Sequence, residues 1–224
     1  MKCLVTVDRI NREIINCTLC KRLVTYTFQI GQKKVRRYSD EIYWAKPVTG
    51  IGDINAELLI VGLAPGAHGA NRTGRLFTGD HSGQWLMSAL HETGFSNIPT
   101  STSVKDGLIL KNVFITSCIR CAPPSNKPLN SELLNCSNYL EKELELLRNV
   151  RVVICLGLIA FQTYCRITNL KKLQFYHFAT YKLNDKHLIA SYHPSRQNTN
   201  TKRLTWPMWI KIFDHARTIL SSNN

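Results

Sequence analysis

Four short apolar runs, each followed by a polar or glycine-rich loop, constrain the fold more than any other feature of this 224-residue chain. The runs cover residues 58–61, 110–116, 152–157 and 187–191. Continuous apolar runs of this length are typical of parallel strands that are buried on both faces. Their order along the chain therefore predicts a parallel sheet of four strands.

Helical patterns lie between and after these runs. Helix starts are predicted near Ser82 and at Asn130–Ser131, with Asn130 as the N-cap, and an amphipathic helix is predicted over residues 207–220. Strands that alternate with helices predict a three-layer α/β/α fold with a central four-stranded parallel sheet. We expect a single domain, in which residues 1–57 precede an α/β core at residues 58–220.

Three loops carry most of the polar and glycine residues that follow strands. They span residues 62–81, 117–130 and 192–204. Ligands bind such sheets where loops leave the carboxyl ends of the strands. The topology therefore predicts that the three loops meet at one edge of the sheet and form the functional site.

The charge balance indicates a polyanionic partner. Lys and Arg number 29 and Asp and Glu number 15, which gives a net charge of +14. Basic side chains displace the condensed counterions of nucleic acid, so nucleic acid is the expected partner. No apolar run approaches the roughly 18 residues of a membrane span, and the N-terminus does not resemble a signal peptide. We expect a cytoplasmic monomer that does not contact a membrane.

The cysteines favour a metal centre over disulfides. The chain has eight of them, many for a protein expected in a reducing compartment. Cys17 and Cys20 form a C-x2-C pair, and fourteen residues separate Cys121 from Cys136. Four thiolates suit either tetrahedral zinc or an iron–sulfur cluster, and this spacing does not choose between them.

Other cysteines have simpler interpretations. Cys118 forms a competing C-x2-C pair with Cys121, so the ligand set is open at this position. Cys155 lies in an apolar strand and Cys165 on a predicted helix, and we expect both in the core.

The loop after the first predicted strand is rich in glycine, with six glycines in the 22 residues from Gly62 to Gly83. Glycines let the backbone approach a ligand and direct N–H groups at it. The loop matches neither common nucleotide-binding pattern. Phe77 either stacks on a nucleobase or anchors the loop to the core. Asp80 is an N-cap, a catalytic carboxylate or both.

The loop after the fourth predicted strand begins Tyr192-His193-Pro194-Ser195. It is polar and offers no core to bury an imidazole, so His193 is a candidate hydrogen-bond donor. Arg196, Lys202 and Arg203 follow and are candidates for contacts with phosphates.

At these residues the chain resembles the type 5 (class b) uracil-DNA glycosylases, an iron–sulfur branch of the uracil-DNA glycosylase superfamily. The resemblance rests on residues 62–83, on His193-Pro194-Ser195 with Gln197-Asn198-Thr199, on residues 121–128 and on residues 43–53. It covers the chain from about Cys17 to Thr205. One departure is Leu76, where relatives often carry Pro or Met.

The resemblance implies one 4Fe–4S cluster on Cys17, Cys20, Cys121 and Cys136, with Cys121 taken over Cys118. It also implies the three-layer α/β/α fold. The position at which many superfamily members carry a water-directing Asp or Asn falls at residues 64–67, which hold no carboxylate. The resemblance assigns the water-directing role to Asp80 instead. It assigns contact with the base to Asn126, and His193 corresponds to the histidine of the family's second conserved motif.

The expected activity follows from the same resemblance. The enzyme would hydrolyse the N-glycosidic bond of uracil, and of other deaminated bases, in DNA. The base would stack on Phe77, and backbone N–H groups at Gly62, Ala64 and Gly66 would stabilise the departing anion. One alternative is a non-catalytic nucleic-acid-binding module with a structural metal centre. Another is a glycosylase directed at hypoxanthine or mismatched thymine.

Overall fold

A computed structural model describes residues 6–222. Cys3 and most of the N-terminal stretch compared with a signal peptide lie outside the described residues, as do residues 223 and 224. Within residues 6–222 the chain forms eight α-helices and six β-strands. The helices are α1 (Val7–Ile15), α2 (Lys21–Lys33), α3 (Ala70–Thr73), α4 (His81–Glu92), α5 (Asn130–Leu146), α6 (Leu158–Ile167), α7 (Arg196–Asn200) and α8 (Trp206–Ser221).

The strands are β1 (Ile51–Gly52), β2 (Leu58–Gly62), β3 (Val113–Ser117), β4 (Val152–Leu156), β5 (Ala179–Lys182) and β6 (His187–Ser191). They form one sheet in the order β1-β3-β2-β4-β6-β5. The four predicted strands are β2, β3, β4 and β6, and they are parallel to one another. The prediction of a four-stranded sheet was incomplete, because β1 and β5 pair antiparallel at its two edges.

Alternate residues of the central strands separate the core into two layers. Leu59 and Val61 of β2 pack on the face that contains buried residues of α5 and α6, whereas Leu58 and Ile60 pack on the face that contains those of α4 and α8. Every residue of β2, β3 and β4 is buried, as expected for strands covered on both faces. The predicted three-layer α/β/α fold is therefore confirmed.

The start of α5 differs from prediction. Asn130 is the first residue of α5 rather than its N-cap, which is Leu129. The Glu132 side chain accepts the Leu129 backbone N–H at 2.7 Å, so a carboxylate caps the helix where the sequence suggested an amide. Cys155 and Cys165 lie in the core as expected. None of the helices within residues 6–222 is long and apolar enough to cross a membrane.

Candidate active site

A cleft of about 1020 Å³ lies where the loops after β2, β3 and β6 meet. Its walls include Gly66 and Asp80 from the first loop, Asn126 from the second and His193 from the third. The prediction that these loops converge at one edge of the sheet is confirmed, because parallel strands end at the same side.

Two further segments, which the topology did not predict, also line the cleft. One lies between α2 and β1 and contributes Val35, Tyr38 and Glu41. The other contributes Ser101 and Thr102, ahead of β3. The cleft therefore has a wall from the N-terminal part of the chain as well as from the α/β core.

Asp80 combines a cap with a position in the cleft. It is the N-cap of α4, and its Oδ1 accepts the Gly83 backbone N–H at 2.8 Å. A β-carbon at Gly66 or Gly69 would lie only 2.7 or 2.0 Å from Asp80 Oδ2, so these glycines allow the loop to close over the carboxylate. Burial raises the pKa of Asp80 above its ordinary value, although the Gly83 N–H opposes the shift. The carboxyl group is thus held rigidly and has increased basicity.

Phe77 and His193 face each other across the cleft with roughly parallel rings. Their centroids are 6.3 Å apart and the planes differ by 27°. Phe77 has a φ of 49°, in the left-handed region that a phenylalanine rarely adopts. Gly62 does not line the cleft; it lies against the edge of the Phe77 ring, where a β-carbon would come within 2.9 Å of Cζ.

His193 is uncharged at neutral pH. Burial lowers its pKa to about 4, because the charged imidazole would lose its hydration. A neutral imidazole carries one N–H donor and one acceptor nitrogen. The carbonyl of His193 accepts the Asn198 side-chain amide at 2.8 Å, which fixes the backbone at the base of the loop.

The remaining predicted residues lie at different depths. Ala64 and Arg196 line the cleft, and exposed Asn126 reaches it from a short 3-10 turn with a φ of 57°. Lys202 and Arg203 do not line the cleft. They are exposed beyond α7, where the Arg203 guanidinium lies 4.4 Å above the centroid of a neighbouring tyrosine ring.

Sequence reasoning missed His68, which lies within the glycine-rich loop and lines the cleft. Its Nδ1 is 3.0 Å from the hydroxyl of Tyr43, which is 7% exposed. Burial lowers the pKa of His68, and the nearby Arg72 lowers it further, so the ring favours the neutral form. The position of His68 in the glycine-rich loop was a sequence indication of a role in the site. Its tyrosine partner lies 25 positions away, so their contact could not be predicted.

Arg72 was also missed. It is 8% exposed and joins the glycine-rich loop to the N-terminal wall. It donates to the carbonyls of His68 at 2.8 Å and Gly79 at 3.2 Å, forms an ion pair with Glu41, and lies 3.9 Å above the Tyr38 ring centroid. A guanidinium can make these contacts together because its donors form a planar fork. The residue before Asp80 is therefore bound to the opposite wall.

The four predicted cluster cysteines lie on three segments of the chain. Cys17 and Cys20 flank the turn between α1 and α2, Cys121 follows β3, and Cys136 lies in α5. Burial raises the pKa of Cys121 to about 12, with smaller contributions from the proximity of the other three thiols. Burial likewise raises the pKa of Cys136 to about 11, again with contributions from Cys20 and Cys17. Cys121 therefore lies within electrostatic reach of the other three thiols, and Cys136 within reach of Cys20 and Cys17.

An ion pair supports this arrangement. Arg22 of α2 donates to both carboxylate oxygens of Glu132 in α5, at 2.8 and 2.6 Å. The Asn135 side-chain amide lies 3.4 Å from Cys20 Sγ. The cysteines described by the structure are free thiols, and within residues 6–222 no group of three or more His, Cys, Asp or Glu side chains is arranged to hold a metal ion.

Comparison with known proteins places this chain in a family. The family model of the Uracil DNA glycosylase superfamily matches residues 49–217. The chain belongs to the uracil-DNA glycosylase superfamily. It is 48% identical over 206 residues to the type-5 uracil-DNA glycosylase of Thermus thermophilus, covering 91% of this chain and 93% of the relative.

Two further relatives support the same branch of the superfamily. The type-5 uracil-DNA glycosylase of Pyrobaculum aerophilum is 46% identical, over 93% of this chain and 91% of its own. That of Mycobacterium leprae is 42% identical over 96% of each chain. This superfamily member therefore groups with type-5 relatives over nearly its whole length, which agrees with the resemblance of its glycine-rich and histidine loops.

Proposed function

We propose that the protein is a DNA-repair glycosylase that hydrolyses the N-glycosidic bond of uracil in DNA and leaves an abasic site. The observation that carries the proposal is the cleft that collects Asp80, Asn126, His193 and Phe77 from separate loops. The names and coverage of the type-5 relatives support the same activity. An extruded nucleotide is the ligand that such an aromatic and polar cleft suits.

The chemistry breaks the bond between C1′ of the sugar and N1 of uracil. The bonding electrons leave with the base, so negative charge develops on uracil and positive charge on the sugar. Asn126 would hydrogen-bond the edge of the base while Phe77 stacks against its face. The N–H of neutral His193, with backbone N–H groups near Ala64 and Gly66, would donate to the oxygen on which the negative charge develops.

Asp80 would act on the sugar side of the bond. Its raised pKa makes the carboxylate a better base for orienting and deprotonating the attacking water. The water oxygen bonds to C1′, and its proton passes through the carboxylate to solvent while the base anion takes up another proton. Arg196, Lys202 and Arg203 would contact phosphates on the side of the cleft formed by the loop after β6.

Cleavage of a duplex with one uracil tests the activity. Alkali-sensitive breakage at the uracil by the wild type, reduced at least about 100-fold in His193→Ala, supports both the reaction and the donor role. Absence of breakage by iron-replete protein that binds DNA would contradict uracil as the substrate. Cleavage of duplexes with hypoxanthine or xanthine would then indicate a glycosylase for another deaminated base, whereas no cleavage would indicate the non-catalytic module. That module would explain the charge and the cysteines but not the polar cleft.

We also propose one 4Fe–4S cluster on Cys17, Cys20, Cys121 and Cys136. The support is the donor set itself: four thiols from three segments, of which Cys121 and Cys136 have pKa values raised mainly by burial and further by neighbouring thiols of the set, with the Arg22–Glu132 pair joining α2 to α5. Such a cluster takes Cys thiolates as ligands and would tie the N-terminal helices to the α/β core. Because the cysteines bound to it must be deprotonated, its binding would offset the raised pKa values of Cys121 and Cys136.

Iron and acid-labile sulfide content tests this centre. Replacing any of the four cysteines with alanine should remove most of the iron and the visible absorption. Cys118→Ala is the matched control, because Cys118 is also buried and lies only three residues from Cys121. Loss of iron in Cys118→Ala with retention in Cys121→Ala would show that the ligand assignment is wrong.

A further inference from the structure

Ile42 is the most exposed of the large hydrophobic side chains within residues 6–222, at 94%. Single exposed apolar residues are common on protein surfaces and need no explanation by themselves. The position of this one is unusual, because Ile42 directly follows Glu41, which lines the cleft.

The backbone around Ile42 is fixed on both sides. Before it, Glu41 pairs with buried Arg72; after it, the Tyr43 hydroxyl contacts His68 at 3.0 Å. The Trp44 backbone N–H also donates to the Arg72 carbonyl at 2.9 Å. Ile42 therefore projects into solvent from a segment whose neighbouring residues contact the glycine-rich loop. The segment cannot move away from that loop without breaking these contacts.

The surroundings of Ile42 identify the kind of partner. Between residues 33 and 46 the chain carries five basic and two acidic residues. Lys33, Arg36, Arg37 and Lys46 are among the basic residues that flank Ile42 in sequence. Asp40 and Glu41 directly precede Ile42, but the segment as a whole is basic. A basic segment with an exposed apolar side chain complements a ligand with an anionic exterior and an apolar interior. Duplex DNA is such a ligand, because its phosphates enclose the base stack.

The loop after β6 is a second surface that could contact DNA, but it has no exposed apolar side chain. In the loop after β6, the exposed side chains from His193 to Arg203 are polar or basic. Pro194 and the following Leu204 are buried. That loop can hold phosphates but has no exposed aliphatic side chain to place between bases.

We infer that Ile42 inserts into the base stack of duplex DNA beside the extruded nucleotide. This inference rests on the proposed glycosylase function. Extruding a base leaves a gap and costs stacking, and an apolar side chain that enters the stack offsets part of that cost and slows the return of the base. Since Glu41 and Tyr43 join the segment to the cleft, the insertion would occur at a fixed distance from the base site.

Single-turnover cleavage by Ile42→Ala on duplex and on single-stranded uracil DNA tests the inference. Single-stranded DNA has no stack to fill, so its rate should stay within about twofold of the wild type, whereas the duplex rate should fall by about tenfold or more. Ile42→Leu should restore most of the duplex rate. Ile109→Ala is the matched control, because Ile109 is 60% exposed and does not line the cleft.

The outcomes separate this inference from the activity on which it rests. An unchanged duplex rate in Ile42→Ala, or an equal loss on both substrates, would overturn the insertion. Absence of cleavage of either substrate by the wild type would instead refute the proposed function. A thermal unfolding scan of Ile42→Ala should match the wild type, since truncating an exposed side chain changes stability little.

Discussion

The His81 imidazole Nε2 lies 2.9 Å from the Thr199 hydroxyl, and this contact joins two of the loops that form the cleft. His81 directly follows Asp80 at the start of α4, and Thr199 lies in α7, after His193. The Thr199 hydroxyl also contacts the Ser195 carbonyl at 3.2 Å. One side-chain contact therefore links the segment that carries the Asp80 carboxylate to the segment that carries the His193 imidazole.

Removal of this contact should slow the reaction without unfolding the protein. Thr199→Val keeps the shape of the side chain and loses the hydroxyl, so we expect single-turnover cleavage to fall about fivefold, as for one net hydrogen bond of about 1 kcal/mol. Thr201→Val is the control, because the Thr201 hydroxyl contacts only carbonyls of its own helical turn. Equal rates in both variants would show that the His81–Thr199 contact does not position the cleft.

Asp80→Asn should separate the cap from the catalytic role. An asparagine caps a helix about as well as an aspartate, so the Gly83 N–H keeps its acceptor. We expect the single-turnover rate to fall about 100-fold, because the base is lost. Retention of most of the wild-type rate would mean that Asp80 is only a cap.

The same variant has a predicted effect on stability. Burial raises the pKa of Asp80 in the folded state, so above the ordinary value of 3.8 the unfolded chain ionises more readily and the wild type loses stability. Asp80→Asn should therefore be more stable than the wild type at neutral pH, and the difference should vanish below the ordinary pKa. Denaturant unfolding at several pH values measures this. A more stable but slower enzyme would indicate that the buried carboxylate is kept for function.

The central sheet was predictable because residues 58–61, 113–115 and 152–156 are apolar without interruption, a pattern that needs no tertiary context. The edge strands were not. Strand β1 has two residues, and β5 has a half-exposed pattern, so both depend on pairing with a neighbour. Convergence of the three loops followed from topology alone.

The unpredicted parts of the site depend on contacts between distant residues. Nothing near Arg72 in sequence indicates that it would be buried against Tyr38 and Glu41, and the basic run before Tyr38 resembles an ordinary solvated surface. In the wall formed by Val35, Tyr38 and Glu41, the latter two residues contact Arg72. A sequence pattern shows local periodicity, whereas this wall depends on packing between residues that are distant in sequence.

His193 should make the folded protein sensitive to acid. Its folded-state pKa is about 4, below the ordinary value of 6.5, so the stability it contributes is present above pH 6.5 and is lost as pH falls towards 4. We expect the unfolding free energy of the wild type to decrease over this window more steeply than that of His193→Asn, which cannot take up the proton. Parallel pH curves for the two proteins would contradict the lowered pKa of the half-buried imidazole.

Gly62→Ala should displace Phe77 without touching a reacting group. The added β-carbon would lie 2.9 Å from Phe77 Cζ, closer than carbon atoms pack, so the ring must move. We expect a loss of about 1–3 kcal/mol of stability and weaker binding of the base, seen as a raised KM with a smaller change in kcat. The shorter side chain of Phe77→Leu frees space at this point. In the double variant the stability loss should therefore be less than additive, while KM stays raised because the stacking ring is gone.

A matched glycine substitution separates the ring from general destabilisation. Gly94 follows α4 with a φ of 84°, and no neighbouring atom lies within 4 Å of the position that a β-carbon would take. Gly94→Ala therefore strains only the backbone, at a cost of about 1 kcal/mol. It should lower stability while leaving KM unchanged. If Gly94→Ala raised KM as much as Gly62→Ala, the effect on the base would come from reduced stability, and the packing of Phe77 on Gly62 would not set the base site.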